Sequence, residues 1–375
     1  MSLGALQVAQ QRRPSRYTWP MVLRRLMRSF GTGPKAPRNL TREEASQAFT
    51  SILNGSESDA LVASFLVTLR WKGVTTEELM GMAMAARAQS RIPCVGMSGL
   101  VVVAPPQDGH ETIPPLEVAA GIVAAAAGGR VLIVSDRCVP PRRGLTAANV
   151  LEGLGLSMTW DSTEAEDWIT KGGFATASVA GLCPPMLSLR KVRGDMEIRT
   201  PLSTLEKLIA PPGAAMLIGA QRGPVLGAAV EVLKGLGHRR GVALQGPEGS
   251  VVPFVTRRTR GIELDGDHLV SVTVEPTDFG LEDAAEPELP LFGPAEEGQG
   301  ASDNPALCKA ASDLVEAVLS GAPGPARNAT LLSAALMLKA SSRCMTIAEG
   351  VDAATSALDS GAASERVSHL RALIS

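Results

Sequence analysis

The stretch Val101-Val102-Val103-Ala104-Pro105-Pro106-Gln107-Asp108-Gly109, running on through Thr112 to Leu116, reads as a buried strand that empties into a loop. A long apolar helix, Val118 to Ala127, follows it. Strand, loop and helix in that order form the unit of an open α/β sheet. In such sheets ligands sit outside the carboxyl ends of strands, and anions favour the N-terminus of the next helix. A phosphate cradle wants glycines, because bare N–H groups must approach the anion closely. Here Pro105, Pro106, Pro114 and Pro115 remove donors, and Gly109 alone is permissive. The scaffold looks like that of a phosphate-handling enzyme; the loop does not.

Downstream of this stretch the alternation continues. Arg130–Val134 reads as a second strand, Ala147–Leu154 as a helix ended by Gly155, and Ala215–Ile218 and Gly241–Leu244 as strands flanking a helix at Val225–Leu236. Leu269–Val274 is a further strand. Residues 276–305 are acidic and rich in Pro and Gly, which suits a surface excursion. Helices close the chain near Asn304–Leu319 and Asn328–Lys339, with Thr346-x-x-Glu349 capping another to Leu358. Strands alternating with helices imply a mostly parallel sheet covered on both faces.

Upstream the pattern is helical. Thr41-x-x-Glu44 is a capping box followed by Ala45, Phe49, Ile52 and Leu53 at helical spacing. Asn54-Gly55 closes that helix, Ser56 or Ser58 caps a second with Leu61, Phe65, Leu66 and Leu69, and Thr75-x-x-Glu78 caps a third. Met80, Met82 and Met84 read as helix-face packing on the third. The fold class is α/β, with a small all-α N-terminal domain and a larger α/β domain around a mostly parallel central sheet. The division is a basic arm over 1–38, a helical domain over 39–92 joined by about 174–199, and the α/β domain over 93–375. The arm carries a short basic helix, Trp19 to Phe30, and a breaker from Gly31 to Arg38.

Composition narrows the function classes. The 375 residues are 45% hydrophobic and 20% charged, which is the balance of a globular chain with room for more than one core. One Tyr and four Trp leave few platforms for base stacking, and a net charge of −2 exerts no global pull on polyanions. Cys94, Cys138, Cys183, Cys308 and Cys344 show neither paired spacing nor nearby histidines, so reduced thiols in a cytoplasmic protein are expected rather than a zinc site. No apolar run approaches the roughly 18 residues of a membrane span, and no signal core is evident.

Several segments carry a resemblance. Leu40-Thr41-Arg42-Glu43-Glu44-Ala45, with Ala63-Ser64-Phe65-Leu66-Val67-Thr68-Leu69-Arg70-Trp71-Lys72-Gly73, is similar to the helical-domain signature of the anthranilate phosphoribosyltransferase family. Gly324-Pro325-Ala326-Arg327, Leu331-Leu332-Ser333-Ala334-Ala335, Glu349-Gly350 and Ser360-Gly361 resemble its C-terminal end. The likeness spans about residues 20 to 370 and implies the phosphoribosyltransferase and nucleoside-phosphorylase-like fold. It also implies an enzyme that displaces pyrophosphate from phosphoribosyl pyrophosphate with bound Mg²⁺.

The motifs for that chemistry depart from the family. A GTGGD-like loop is replaced by Ala104-Pro105-Pro106-Gln107-Asp108, and the hydroxyl-rich segment keeps Thr112 but has Pro114, Leu116 and Glu117 at its other positions. Where a KHGNR-like segment should follow the second strand stands Val134-Ser135-Asp136-Arg137-Cys138. The acidic metal ligands should follow Gly246, where Glu248 is the sole acid of Pro247-Glu248-Gly249-Ser250. Gln107, Asp108, Gly109 and Thr112 thus form a degenerate donor loop, no catalytic residue is assigned, and no Mg²⁺ ligand set is retained. Arg193 and Arg199-Thr200 match family positions, one of them associated with the anthranilate carboxylate.

A divergent, non-biosynthetic branch of the family, associated with nucleic-acid binding, fits these substitutions better. Phe30 to Leu40, Ile113-Pro114-Pro115-Leu116 and Ser203-Thr204-Leu205-Glu206-Lys207-Leu208 are similar to its segments. That branch has basic residues where this chain has Asp108-Gly109-His110-Glu111.

Arg137, Arg142 and Arg143 follow the second strand and should lie at the ligand-facing edge of the sheet, and the family fold implies a place across the interdomain cleft for Arg190, Lys191, Arg193 and Arg199, with Thr200. Arg239-Arg240 and Arg257-Arg258-Arg260 are the densest basic clusters, and a solvated face explains them as readily as phosphate contact. Asp108 reads as a turn residue, or as a ligand for a metal or a sugar hydroxyl. The expectation is a polyanion, such as nucleic acid, or a phosphorylated small molecule bound in the cleft. An active transferase with altered donor recognition, and a structural homodimer formed through the helical domain, are the alternatives.

Overall fold

The computed structural model describes residues 22–30, 38–221, 223–291 and 296–374. The remainder of the basic arm, including Trp19 and the breaker at 31–37, lies outside the described residues. Helix α1 (Val22–Phe30) leads into α2 (Arg42–Leu53), α3 (Asp59–Lys72) and α4 (Thr76–Ala88). The caps read from the sequence are present. Thr41 and Thr75 each accept from the amide three residues on, and Glu44 and Glu78 return the bond to the cap amide. Glu78 does more than cap, since its buried carboxylate also takes the Leu40 amide at 2.8 Å and the Lys72 ammonium at 2.6 Å. Met80 and Met82 are buried in the helical core, but Met84 is 47% exposed, because the stripe that reaches the core is narrower than three alternate positions.

The chain then alternates: β1 (Leu100–Ala104), α5 (Glu117–Ala126), β2 (Arg130–Val134), α6 (Ala147–Gly153), α7 (Ser162–Gly172), β3 (Phe174–Ala177), α8 (Val179–Leu182) and α9 (Pro184–Met196). It continues with α10 (Leu202–Leu205), β4 (Ala215–Gly219), α11 (Gly223–Gly235), β5 (Arg240–Leu244), β6 (Thr259–Asp265) and β7 (His268–Val274). It ends in α12 (Pro305–Leu319), α13 (Pro325–Ala340), α14 (Ile347–Asp359) and α15 (Ala362–Ile374). The seven strands stand in the order β3-β2-β1-β4-β5-β6-β7. The first five pair in parallel, and β6 and β7 extend the sheet antiparallel.

The five parallel strands are buried on both faces, with side chains alternating between two cores as the pleat requires, whereas β7 is largely exposed. Val102, Leu132, Met216 and Ala243 join the core shared with the helical domain, whereas Val101, Ile133, Leu217 and Val242 face the core built on α5 and α12–α15. Chain order reverses between β1 and β4, so the crevice of this sheet opens at their carboxyl ends.

Some elements differ from the sequence reading. Of the segment expected to join the helical domain, α9 packs against α3, but Phe174–Ala177 forms β3 at the edge of the sheet. Its four residues are too short and too small to announce a strand. Strand β6 follows directly on the basic cluster, and its opening Thr259-Arg260-Gly261 carries little apolar strand signal. Among the described residues no helix is long and apolar enough to cross a membrane.

Candidate functional site

The loop after β1 crosses the loop after β2. Gly144 donates to the Asp108 carbonyl at 2.9 Å, and His110 and Leu145 exchange both backbone bonds at 2.8 Å. The crossing requires two glycines. Gly109 has φ of 77°, and a Cβ there would stand 2.4 Å from the Gly144 backbone; one on Gly144 would stand 2.6 Å from the His110 amide. The loop is therefore fastened, and its amides are engaged. Gly109 donates to Pro106, His110 to Leu145, and Glu111 and Thr112 donate to the carboxylate of Glu248 at 2.8 Å each.

Glu248 reaches this position from the turn after β5. It also accepts the Thr112 hydroxyl at 2.6 Å and the Arg142 guanidinium at 3.2 Å. Two amides, a hydroxyl and a guanidinium converging on one anion make an oxyanion cradle, and here the anion is a side chain of the same chain. Burial would raise the Glu248 carboxyl, but the Thr112 hydroxyl and the two amides outweigh it and hold it below its ordinary value. His110, buried beside it, is pushed down to about 4 by burial, against the pull of Glu248. It is neutral at physiological pH.

Arg137, Arg142, Arg143, Arg190, Arg193 and Arg199 each have a carboxylate partner. Arg199 meets Asp108 at 2.6 Å, so Asp108 is a fully buried ion-pair partner as well as a turn residue. Arg193 is buried against Glu206 at 2.5 Å and donates to Ser203 at 3.0 Å, so it does not line an open cleft. Arg190 reaches Asp136 at 2.5 Å and Glu206 at 3.0 Å. Arg142 bridges Glu248 and Glu111, Arg143 pairs with Glu197 at 3.0 Å, and Arg137 pairs with Glu152 at 2.5 Å on the outer surface. Gln107 turns inward, donating to the Val134 carbonyl at 2.8 Å. Thr200 is buried, with no partner for its hydroxyl among the described residues.

The structure thus brings together the loop residues, Arg142 and Arg199, and also Arg190 with Arg193, while it sends Arg137 elsewhere. The residues that sequence reasoning missed are the acids Asp136, Glu197 and Glu206, and Lys207, whose ammonium donates to the Gly219 carbonyl at 2.8 Å. Burial lowers Lys207 to about 8, and Arg199 adds to the effect. Glu206 and Lys207 stand in one of the quoted family-like segments, but nothing in their spacing shows that they point inward.

These cleft residues do not fit a resident Mg²⁺. That ion takes oxygen ligands in strict octahedral geometry. Glu248 directs its oxygens at four donors, Asp108 is paired with Arg199, and among the described residues no three His, Cys, Asp or Glu side chains converge. Val251 and Val252, which follow Glu248 where the resemblance implies acidic ligands, are buried in the apolar core.

Residues 22–90 match the family described as glycosyl transferase family, helical bundle domain, and residues 108–364 match its a/b domain. The curated anthranilate phosphoribosyltransferase of Methylobacterium radiotolerans is 30% identical over 332 residues, covering 88% of this chain and 91% of that one. The chain belongs to the anthranilate phosphoribosyltransferase family. The family member from Exiguobacterium sibiricum is 29% identical over 89% of this chain and 94% of its own. Among solved structures, the anthranilate phosphoribosyltransferase of Thermus thermophilus superposes with a TM-score of 0.77 at 26% identity, covering 94% of this chain and 99% of that one. The Saccharomyces cerevisiae enzyme in complex with PRPP and Mg shares the fold with a TM-score of 0.76 at 19% identity, covering 95% and 98%.

Proposed function

We propose that this chain is an anthranilate phosphoribosyltransferase-like protein whose donor site is sealed by its own side chains. On this reading it does not carry out the biosynthetic transfer, and it binds a polyanion such as nucleic acid where the cleft opens. The observation that carries the proposal is the engagement of every amide from Gly109 to Thr112, two of them by Glu248. A phosphate group entering there would have to displace a carboxylate already held by four donors. It would also have to be bound without Mg²⁺. Support for polyanion binding comes from Arg257, Arg258 and Arg260 at the same edge of the sheet, which follow the turn that carries Glu248 and make no ion pair among the described residues.

Two measurements test the two halves. Incubation with phosphoribosyl pyrophosphate, anthranilate and Mg²⁺ should release no pyrophosphate above background, and turnover would overturn the sealed-site reading. Anisotropy of a labelled single-stranded oligonucleotide should show binding at low salt that weakens steeply as salt rises, since each neutralised phosphate releases counterions. Absence of binding at low salt would remove nucleic acid as the ligand.

One observation favours a second reading, an active transferase with altered donor. The second oxygen of Asp108, one Arg190 nitrogen and the Thr200 hydroxyl are buried without partners among the described residues, and polar atoms of this kind can serve a substrate. Pyrophosphate or phosphate release from another phosphorylated sugar would establish it. Trp71, Met84 and Leu187, exposed on α3, α4 and α9, support the expected homodimer through the helical domain.

A further inference from the structure

We infer that the recess at the carboxyl ends of β4 and β5, walled by Arg257, Arg258 and Arg260, is a binding site for a phosphate ester. This inference rests on the polyanion reading and gives it a place outside the sealed donor loop. The recess has a volume of about 640 Å³, within the range of small-molecule sites. Gln221, Gln245 and Phe254 complete its wall.

Three features set it apart from the cleft. The first is charge. Every cleft arginine named above faces a carboxylate, whereas Arg257, Arg258 and Arg260 are exposed and make no ion pair among the described residues. The second is the direction of the nearby acids. Glu248 lines the recess but turns its carboxylate away to Glu111, Thr112 and Arg142. Glu286, which reaches the loop before β6, is engaged by the amides of Val255 and Thr256 at 3.1 and 3.0 Å and by the Thr256 hydroxyl at 2.5 Å. The acids that could neutralise the arginines are thus bound elsewhere. The third is order. The Arg257 guanidinium lies 4.1 Å from the centroid of the Phe254 ring, and this cation–π contact holds its planar fork in place.

The chemistry follows from the charge. Three guanidinium groups within four residues repel one another, and a single carboxylate would leave most of that charge unmet. A phosphodiester run or a pyrophosphate group offers several oxygens, which suit bidentate guanidinium bonds. Gln221 and Gln245, each held by a 3.3 Å bond to backbone in the turns after β4 and β5, add carboxamides at the rim. A strand of nucleic acid and a free nucleotide present the same phosphate ester, and the experiment separates them.

The full-length chain is titrated, at two salt concentrations, with a labelled single-stranded oligonucleotide and separately with ATP and inorganic pyrophosphate. The variants are a triple Arg257→Gln, Arg258→Gln, Arg260→Gln, the corresponding triple lysine substitution, and a control, Arg239→Gln with Arg240→Gln, at the opposite end of β5. Thermal melts establish that each is folded. The expected result is at least tenfold weaker binding in the glutamine triple, with the salt slope reduced by roughly 2, at about 0.7 per phosphate contact on a single strand. The lysine triple should recover part of the loss, and the control should stay within about twofold of the parent.

Oligonucleotide binding that the glutamine triple leaves intact would overturn this site while the polyanion reading stands. Pyrophosphate or ATP binding that needs the arginines, without oligonucleotide binding, would uphold the site and overturn nucleic acid as the ligand. Failure of every probe to bind at low salt would overturn both.

Discussion

Glu248 adopts a left-handed backbone, with φ of 51°, a conformation that costs a non-glycine residue roughly 1–2 kcal/mol. The four donors gathered on its carboxylate offset that cost. Arg193 tells a related story, because its position is matched in the family while its side chain is buried against Glu206. Breaking a buried pair leaves a charge without its counterion. Arg193→Ala should therefore destabilise the fold by about 3 kcal/mol in urea unfolding. A variant as stable as the parent, with weakened polyanion binding, would instead return Arg193 to a ligand-contacting role.

Glu117 makes stability depend on pH. It is fully buried at the start of α5, both oxygens lack partners among the described residues, and burial raises its carboxyl to about 7. The folded state therefore holds a proton that the unfolded chain releases near 4.5. Stability from this group is full below about 4.5 and is lost as pH rises towards 7, by about 3 kcal/mol in total. Glu117→Gln should be the more stable protein at pH 8, with the difference from the parent shrinking towards pH 5. Equal differences at both values would show that Glu117 does not titrate in this way.

At the scale of elements, the decisive feature is the crossing of the loops after β1 and β2. Proline removes donors from the first loop, and the paired bonds of His110 with Leu145 fix what remains. Gly109→Ala should cost roughly 2–4 kcal/mol, because the new Cβ meets backbone at 2.4 Å and the residue must keep φ of 77°. The measurement is the urea midpoint, and an unchanged midpoint would mean that the loops separate at little cost. A second element, the pairing of His238 with its neighbours, shows how burial is made tolerable. Its Nδ1 lies 2.8 Å from the Ala214 carbonyl and its Nε2 lies 2.7 Å from Arg87. The ring must be neutral to donate to one and accept from the other, which agrees with burial pushing it down to about 4.

For the whole molecule, the sheet is shared by two cores, and the helical domain continues one of them rather than standing apart. The free faces of its helices are then the place to look for a second copy. Trp71 is 79% exposed at the end of α3, an uncommon position for so large an apolar side chain. Light scattering at micromolar concentration should report twice the mass of one chain, and Trp71→Glu should shift it towards one. A single-chain mass for the unaltered protein would remove the helical faces as a dimer interface.

Much of the architecture was legible in the sequence for simple reasons. Capping boxes at Thr41 and Thr75 are local, and the valine-rich run before Pro105 has the length and composition of a buried parallel strand, so neither depends on what lies across the molecule. The absence of a glycine cradle was equally local, because Pro105 and Pro106 lack amide donors whatever surrounds them. The partners of charge were not local. Glu248 stands 136 positions from Thr112 and Asp108 stands 91 from Arg199, and only the folded sheet brings their loops to one edge. Tertiary structure alone therefore decided that the cleft arginines are neutralised, that the amides of Glu111 and Thr112 are taken by a carboxylate, and that Arg257, Arg258 and Arg260 make no ion pair among the described residues. The physical reason is that strand and helix propensities act over a few residues, whereas an ion pair forms wherever folding delivers its two ends.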